Sequence, residues 1–148
     1  MLLFEQIRVD MKTAMKSGEK DRLETLRFIL SGLNLAQKEK EMKTPGSELD
    51  DSETISFLQK EVKRRKDSIE LFKKGGRNDL VEKEEMGISF IQSYLPKELQ
   101  QEEIEKIIDD VLKNGFNDFS SVMREAVKVI AGRADGKVIS EIVKKKLS

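Results

Sequence analysis

A helical hydrophobic period runs through almost all of this 148-residue chain. Apolar residues recur three and four positions apart, as in Ile55, Leu58, Val62 and Ile69, and this spacing places them on one side of an α-helix. No segment shows a sustained alternation of apolar and polar residues, which is the pattern of a half-buried strand. The sequence therefore predicts an all-α protein without a β-sheet.

Glycine, proline and polar turn residues divide the periodic segments into helices. Four longer helices are separated by breaks at Ser17-Gly18, 44–47 and Gly75-Gly76. Asp50, with Glu53 three residues later, has the spacing of a capping box and predicts the start of the third helix. Asn78 or Asp79 is the expected cap of the fourth helix.

Pro96 marks the predicted boundary between two domains. Proline disfavours helical backbone at the residue before it, so the fourth helix should end at Tyr94-Leu95. We expect an N-terminal helical domain of four longer helices at 1–95 and a compact three-helix C-terminal domain at 96–148.

Three shorter helices are predicted in the second domain, near 101–113, 118–130 and 136–147. Phe119 and Val127 fall on the apolar stripe of the middle one. Gly115 and Gly132 follow the first two, where glycine commonly ends a helix.

The chain contains no cysteine and no histidine. Their absence excludes disulfides, thiolate nucleophiles and sulfur-ligated zinc, and it removes Ser-His and Cys-His catalytic pairs. Adjacent carboxylates such as Glu84-Glu85 and Asp109-Asp110 point in diverging directions on a helix, so we predict no catalytic residue, no metal site and no cofactor.

Residues 1–12 contain a charged residue by position 5 and no long apolar run, unlike a signal peptide or a membrane span. We therefore expect a cytoplasmic protein without membrane contact.

The formal net charge is zero, but the charges are unevenly distributed. Residues 60–77 hold eight Lys and Arg against three acidic residues, and 119–148 hold seven against three. Residues 96–118 hold three against seven. Such segregation can create local basic faces without a high isoelectric point. Chance clustering on helix surfaces explains the same pattern.

The segment GRADGK, at 132–137, superficially resembles a phosphate-binding loop. It has three residues rather than four between its glycines, and Val138 replaces the hydroxyl residue that would hold magnesium. A structural interpretation is sufficient for it. Gly132 ends one helix, Asp135 caps the next, and the lysines at 144–146 complement the C-terminal helix dipole.

A functional interpretation of the same segment stays open. The free amides at the start of the last helix attract an anion. Arg133 and Lys137 would add positive charge beside it, and Gly136 would let a ligand approach the backbone. This combination is typical of a contact with a nucleic-acid phosphate.

The third helix combines a candidate basic surface with a charge on its apolar stripe. Lys60, Lys63 and Arg64 share one face by their spacing and could meet an acidic partner. Arg65 lies on the apolar stripe and needs a carboxylate, because an unpaired buried charge is costly. If the third and fourth helices pack antiparallel, the candidates are Glu82, Glu84 and Glu85.

Four stretches at consistent spacing resemble the GatB/YqeY family, specifically its free-standing YqeY-like proteins. They are DMKTAMKSGEKDRLETLR (10–27), EVKRRKDSIELFKKGGRNDLVEKEE (61–85), YLPKEL (94–99) and GRADGKVISEIVKKKL (132–147). The resemblance therefore covers the whole chain.

The resemblance implies an all-helical protein that acts with RNA. Its C-terminal part is similar to the tail domain of the B subunit of the tRNA-dependent amidotransferase, in which the tail contacts the tRNA body away from the chemistry. The implied partner is tRNA or a tRNA-amidotransferase complex. The implied RNA-binding candidates are Arg133, Gly136 and Lys137, followed by Lys144 and Lys145.

The chain departs from the family pattern at four places. Gln100 stands where a serine commonly opens the helix, and residues 119–123 replace a Met-Gly-Lys-Val-Met-like stretch and so lose a lysine. Gly87 stands where an acidic residue is common, and the glycine weakens the fourth helix locally. Ala131 stands where a lysine is common, which subtracts charge from the proposed RNA face.

We expect a non-catalytic tRNA-binding or tRNA-amidotransferase-associated protein. One alternative is a component of a glutamine-dependent carbon–nitrogen ligase acting on misacylated tRNA, and another is a helical adaptor that binds only protein. Glutamine hydrolysis needs an activated nucleophile, and the chain has no cysteine and no amidase-like Ser-Ser-Lys arrangement. Autonomous catalysis is therefore not expected.

Overall fold

The computed structural model describes all residues from 1 to 148 and contains seven α-helices without a strand. The helices are α1 (Leu3–Ser17), α2 (Lys20–Lys43), α3 (Asp51–Lys74), α4 (Asn78–Gln92), α5 (Gln101–Lys113), α6 (Phe119–Ile130) and α7 (Gly136–Leu147). The prediction of an all-α fold with longer helices before shorter ones is confirmed. The chain divides into two compact units, unit 1 at Met1–Leu95 and unit 2 at Pro96–Ser148. None of the helices is long and apolar enough to cross a membrane.

Unit 1 is built from α1 to α4 around one apolar core. Helix α3 packs along α4, α1 packs along α2, and α2 also contacts α4. The capping box at the start of α3 is confirmed: the Asp50 carboxylate accepts from the Glu53 backbone N–H at 2.7 Å, and the Glu53 carboxylate accepts from the Asp50 N–H at 3.3 Å. The fully buried members of the core are Ile7, Ala14, Leu26, Ile29, Leu33, Leu58 and Ile91.

The start of α4 differs from the prediction. Its N-cap is Arg77, whose side chain makes no capping bond, and Asn78 is already the first helical residue. The Asp79 carboxylate instead accepts two hydrogen bonds from the Arg77 guanidinium, at 3.1 and 3.2 Å. That pair lowers the pKa of Asp79 and engages the carboxylate that was expected to cap the helix.

Unit 2 is a three-helix unit with its own core, in which α6 packs against both α5 and α7. The residues buried there include Ile104, Ile108, Val122, Ala126, Ile130 and Val143. Phe119 and Val127, which were placed on the apolar stripe of α6, are instead 39% and 47% exposed. Helix α6 ends at Ile130, its C-cap Ala131 has left-handed backbone at φ 50°, and Gly132 follows at φ 78°. The helix-ending conformation thus begins one residue before the predicted glycine.

Candidate nucleic-acid interface

The turn between α6 and α7 is fastened to the segment that precedes α5. The Nε of Arg133 donates to the Lys97 carbonyl at 3.0 Å, and the Arg133 carbonyl accepts from the Leu99 N–H at 2.7 Å. A guanidinium carries five N–H donors, so the bond from Nε leaves the two amino groups for another acceptor. Arg133 therefore holds the turn in place and can still present its charge to a ligand.

The first turn of α7 is capped by its own chain. The Asp135 carboxylate accepts from the Lys137 backbone N–H at 2.9 Å. This bond occupies one of the free amides that an anion could have used, and it sets a negative charge beside the proposed phosphate position. A Cβ added at Gly136 would have no atom within 4 Å. The space over Gly136 is therefore open to a ligand, although the fold itself does not require glycine there.

Lysines on α7 form an exposed basic row. Lys137 and Lys144 are seven residues apart, so they lie on one face of the helix, about 10 Å apart along its axis. Lys145 is exposed beside Lys144. Lys146 differs from them because its Nζ pairs with the Asp109 carboxylate of α5 at 3.0 Å. We call Lys137 and Lys144 the α7 lysine row; neither these two residues nor Lys145 forms an ion pair within the chain.

An exposed aromatic ring stands at one end of the α7 lysine row. The Nζ of Lys144 lies 5.9 Å from the centroid of the Phe119 ring, at the first residue of α6. A cation this close to a ring is attracted by its π-electrons. The ring and the ammonium group therefore share one patch of the surface of unit 2.

The candidate basic surface of α3 is only partly available. Lys60 and Lys63 are exposed. Arg64 is also exposed, but its guanidinium donates two hydrogen bonds to the Glu61 carboxylate, at 2.8 and 3.1 Å. The hydrogen bond to Glu61 raises the pKa of Arg64 above its ordinary value. One of the three charges is thus opposed by a carboxylate of its own helix.

Arg65 is the centre of an ion-pair cluster in unit 1. Its Nη1 pairs with the Glu84 carboxylate of α4 at 3.4 Å, which confirms one of the three predicted partners. Its Nε pairs with Glu61, one turn earlier on α3, at 3.0 Å. Glu61 is only 7% exposed and holds both Arg64 and Arg65, so it is the main counter-charge of the cluster.

A cavity of about 700 Å³ opens over this cluster between α2, α3 and α4. The guanidinium carbons of Arg64 and Arg65 lie 5.0 and 5.3 Å from the Phe28 ring at its wall. Its carboxylate-bearing lining residues are Asp21, Glu24, Glu61, Asp79, Glu82 and Glu84. Acidic residues outnumber basic ones there, so this cavity does not suit a phosphate. No group of three or more acidic side chains is arranged to hold a metal ion.

Sequence reasoning missed two residues of these sites. Glu61 precedes Arg64 and Arg65 by three and four positions, a spacing at which helix side chains meet, so the signal was present. Phe119 has the periodicity of the apolar stripe of α6, and the structure shows that it is nevertheless partly exposed.

The amino-acid sequence of the chain matches known proteins over nearly its whole length. A family described as "Yqey-like protein" matches residues 4–147 of the chain. The chain belongs to the YqeY-like family. This YqeY-like protein is also similar to fungal proteins named "Altered inheritance of mitochondria protein 41, mitochondrial". The one from Pyrenophora tritici-repentis is 33% identical over 151 residues, which cover 99% of this chain and 79% of that protein.

Two further relatives of the same name match less of their own length. The Lachancea thermotolerans protein is 40% identical over 89 residues, 60% of this chain and 46% of that protein. The Kluyveromyces lactis protein is 30% identical over 136 residues, 90% of this chain and 69% of that protein. The prediction of a cytoplasmic protein is wrong on this comparison, because these relatives are named as mitochondrial proteins.

Proposed function

We propose that this YqeY-like protein binds RNA, with tRNA as the favoured class, through the α7 lysine row and the turn that precedes it. The observation that carries the proposal is a set of four cations, the half-buried Arg133 and the exposed Lys137, Lys144 and Lys145, none of which forms an ion pair with a carboxylate of the chain. Phosphates are the natural partners of such a set, since each neutralised phosphate releases a counterion.

The sequence resemblance of residues 96–148 to an amidotransferase tail domain is the reason for proposing tRNA as the RNA class. In this proposal the chain positions RNA and carries out no chemistry on it. Arg133 contributes charge from a fixed turn, because its bond to the Lys97 carbonyl removes much of its freedom. Lys137 and Lys144 contribute mobile point charges that follow the RNA backbone.

The test compares two double variants of the full chain for binding to unfractionated tRNA. Lys137→Ala/Lys144→Ala removes the α7 lysine row, and Lys60→Ala/Lys63→Ala removes the same charge from exposed positions on α3. Each lost phosphate contact lowers affinity about fivefold at 0.1 M salt, so the first variant should bind roughly 20-fold more weakly. The second should bind as the wild type does. Equal losses of tRNA affinity in the two variants would mean that net charge alone determines binding, and the proposed site would be refuted.

Two other functions are separated by direct assays. A component of a glutamine-dependent carbon–nitrogen ligase would release ammonia from glutamine, alone or with tRNA, whereas the proposal expects no turnover by the pure chain. A protein-only adaptor would keep its partners after nuclease treatment, whereas an RNA-bridged assembly would lose them.

The names of the relatives favour a mitochondrial setting for this activity over a cytoplasmic one. In that setting the RNA partner would be an organellar tRNA. RNA recovered with the protein from fractionated cells identifies the compartment and the partner in one experiment.

A further inference from the structure

Phe119 is an exposed aromatic side chain of unit 2. It is the first residue of α6, it is 39% exposed, and it is not one of the buried residues of the core of unit 2. The other phenylalanine of unit 2, Phe116, does pack against that core. Part of the Phe119 ring is therefore available to a ligand at the surface of unit 2.

The surroundings of Phe119 combine a flat apolar surface with positive charge. Lys144, at the end of the α7 lysine row, holds its Nζ 5.9 Å from the ring centroid. The neighbouring carboxylate of Asp118 accepts hydrogen bonds from the backbone N–H and the hydroxyl of Ser121. The Asp118 carboxylate is thus engaged in capping α6. The charged group that contacts the ring is the ammonium group of Lys144.

A flat ring next to a cation matches the chemistry of an unpaired nucleotide. The base presents a π-face that stacks on an aromatic side chain, and its phosphate is met by a lysine or arginine. Bases inside a duplex are already stacked and paired, so proteins find this contact in loops, bulges and single strands.

We propose that Phe119 stacks on one unpaired base of the bound RNA while Lys144 neutralises a phosphate of the same strand. The inference rests on the proposed function and adds to it the part of the RNA that is recognised. The α7 lysine row follows the backbone, and the ring at its end selects a strand with an exposed base.

Phe28 in unit 1 provides a matched control. Its ring is 47% exposed and is also approached by cations, the guanidinium groups of Arg64 and Arg65 at 5.0 and 5.3 Å. Both guanidinium groups are paired with Glu61. Phe28 thus resembles Phe119 in exposure but has no unneutralised cation beside it for a phosphate.

The chain contains no tryptophan, so a tryptophan introduced at either ring position reports on that position alone. Phe119→Trp and Phe28→Trp are titrated separately with a 12-nucleotide single-stranded RNA and with a blunt 12-base-pair RNA duplex. Stacking should quench the fluorescence of the Phe119→Trp protein with the single strand and leave it unchanged with the duplex. The Phe28→Trp protein should respond to neither RNA.

Affinity measurements with Phe119→Leu complete the test. This change keeps an apolar side chain and removes the π-face, so single-strand affinity should fall about tenfold while duplex affinity is retained. If the wild type binds both RNAs and neither the quenching nor the loss occurs, the stacking inference is refuted and RNA binding stands. If the wild type binds unfractionated tRNA but neither 12-mer, the stacking inference fails alone; if it binds none of the three RNAs, the proposed function fails and the inference fails with it.

Discussion

A methyl group added at Gly87 tests the ion-pair cluster of unit 1. Gly87 lies inside α4, where alanine ordinarily stabilises a helix by about 1 kcal/mol relative to glycine. A Cβ at this position would lie 2.5 Å from Nη1 and 3.2 Å from Cζ of Arg65. Contacts this short cannot persist, so Gly87→Ala must displace the guanidinium.

The displaced guanidinium loses well-defined partners. Arg65 is bonded to Glu61 at 3.0 Å and to Glu84 at 3.4 Å, and its side chain is 14% exposed. Removing one partner of a buried pair costs about 3–5 kcal/mol, and this is an upper bound here because the guanidinium is shifted and not removed. We take about 2–3 kcal/mol here, because Glu61 keeps Arg64 as a partner and Glu84 is partly exposed. After the gain in helix propensity, Gly87→Ala should lower the free energy of unfolding by about 1–2 kcal/mol.

Urea unfolding followed by tyrosine fluorescence measures the free energy of unfolding of unit 1, because the single tyrosine, Tyr94, belongs to that unit. The control is the same substitution in an Arg65→Ala background, where no guanidinium remains to collide with the methyl group. There Gly87→Ala should stabilise the protein by up to about 1 kcal/mol. A stabilisation of that size in the wild-type background would refute the reasoning.

Three further changes have defined outcomes. Asp135→Asn should keep the cap of α7, since both residues cap well. It also removes a negative charge, which costs about 0.7 kcal/mol at an assumed separation of about 6 Å from a phosphate in water, so tRNA affinity should rise roughly threefold in a filter-binding assay. Ala131→Gly should raise the free energy of unfolding by about 0.5–1 kcal/mol, because alanine occupies left-handed backbone at φ 50°; an unchanged thermal midpoint would contradict this. Tyr94→Phe removes the 2.6 Å bond to Asp10 and should cost about 1 kcal/mol below pH 10. Burial raises the pKa of Tyr94 to about 12, above its unfolded value, so stability from this hydroxyl is complete below pH 10 and is lost between pH 10 and 12. Parallel pH profiles of Tyr94→Phe and the wild type would contradict that account.

Local chemistry made much of the fold predictable. The helices follow from an apolar spacing of three and four residues interrupted by glycine and proline, and the capping box of α3 needs only two residues, Asp50 and Glu53. The ion pair of Arg65 with a carboxylate of α4 is predictable because two helices joined by a short turn pack side by side.

The remaining features depend on contacts that periodicity does not encode. Ala131 adopts left-handed backbone beside Arg133, whose side chain is bonded to a carbonyl 36 residues earlier. Phe119 has the spacing of a core residue and is exposed because the core of unit 2 is completed by other side chains. From the sequence, Gly87 only lowers the helix propensity of α4. The structure shows that the guanidinium of Arg65 occupies the space that a Cβ at this position would need.

The salt dependence of tRNA binding tests the central claim most directly. Four phosphate contacts, from Arg133, Lys137, Lys144 and Lys145, predict that the logarithm of the association constant falls with the logarithm of salt concentration with a slope of about −3. Lys137→Ala/Lys144→Ala should reduce that slope to about −1.4. A wild-type slope near zero, or the same slope for both proteins, would contradict RNA binding by the α7 lysine row.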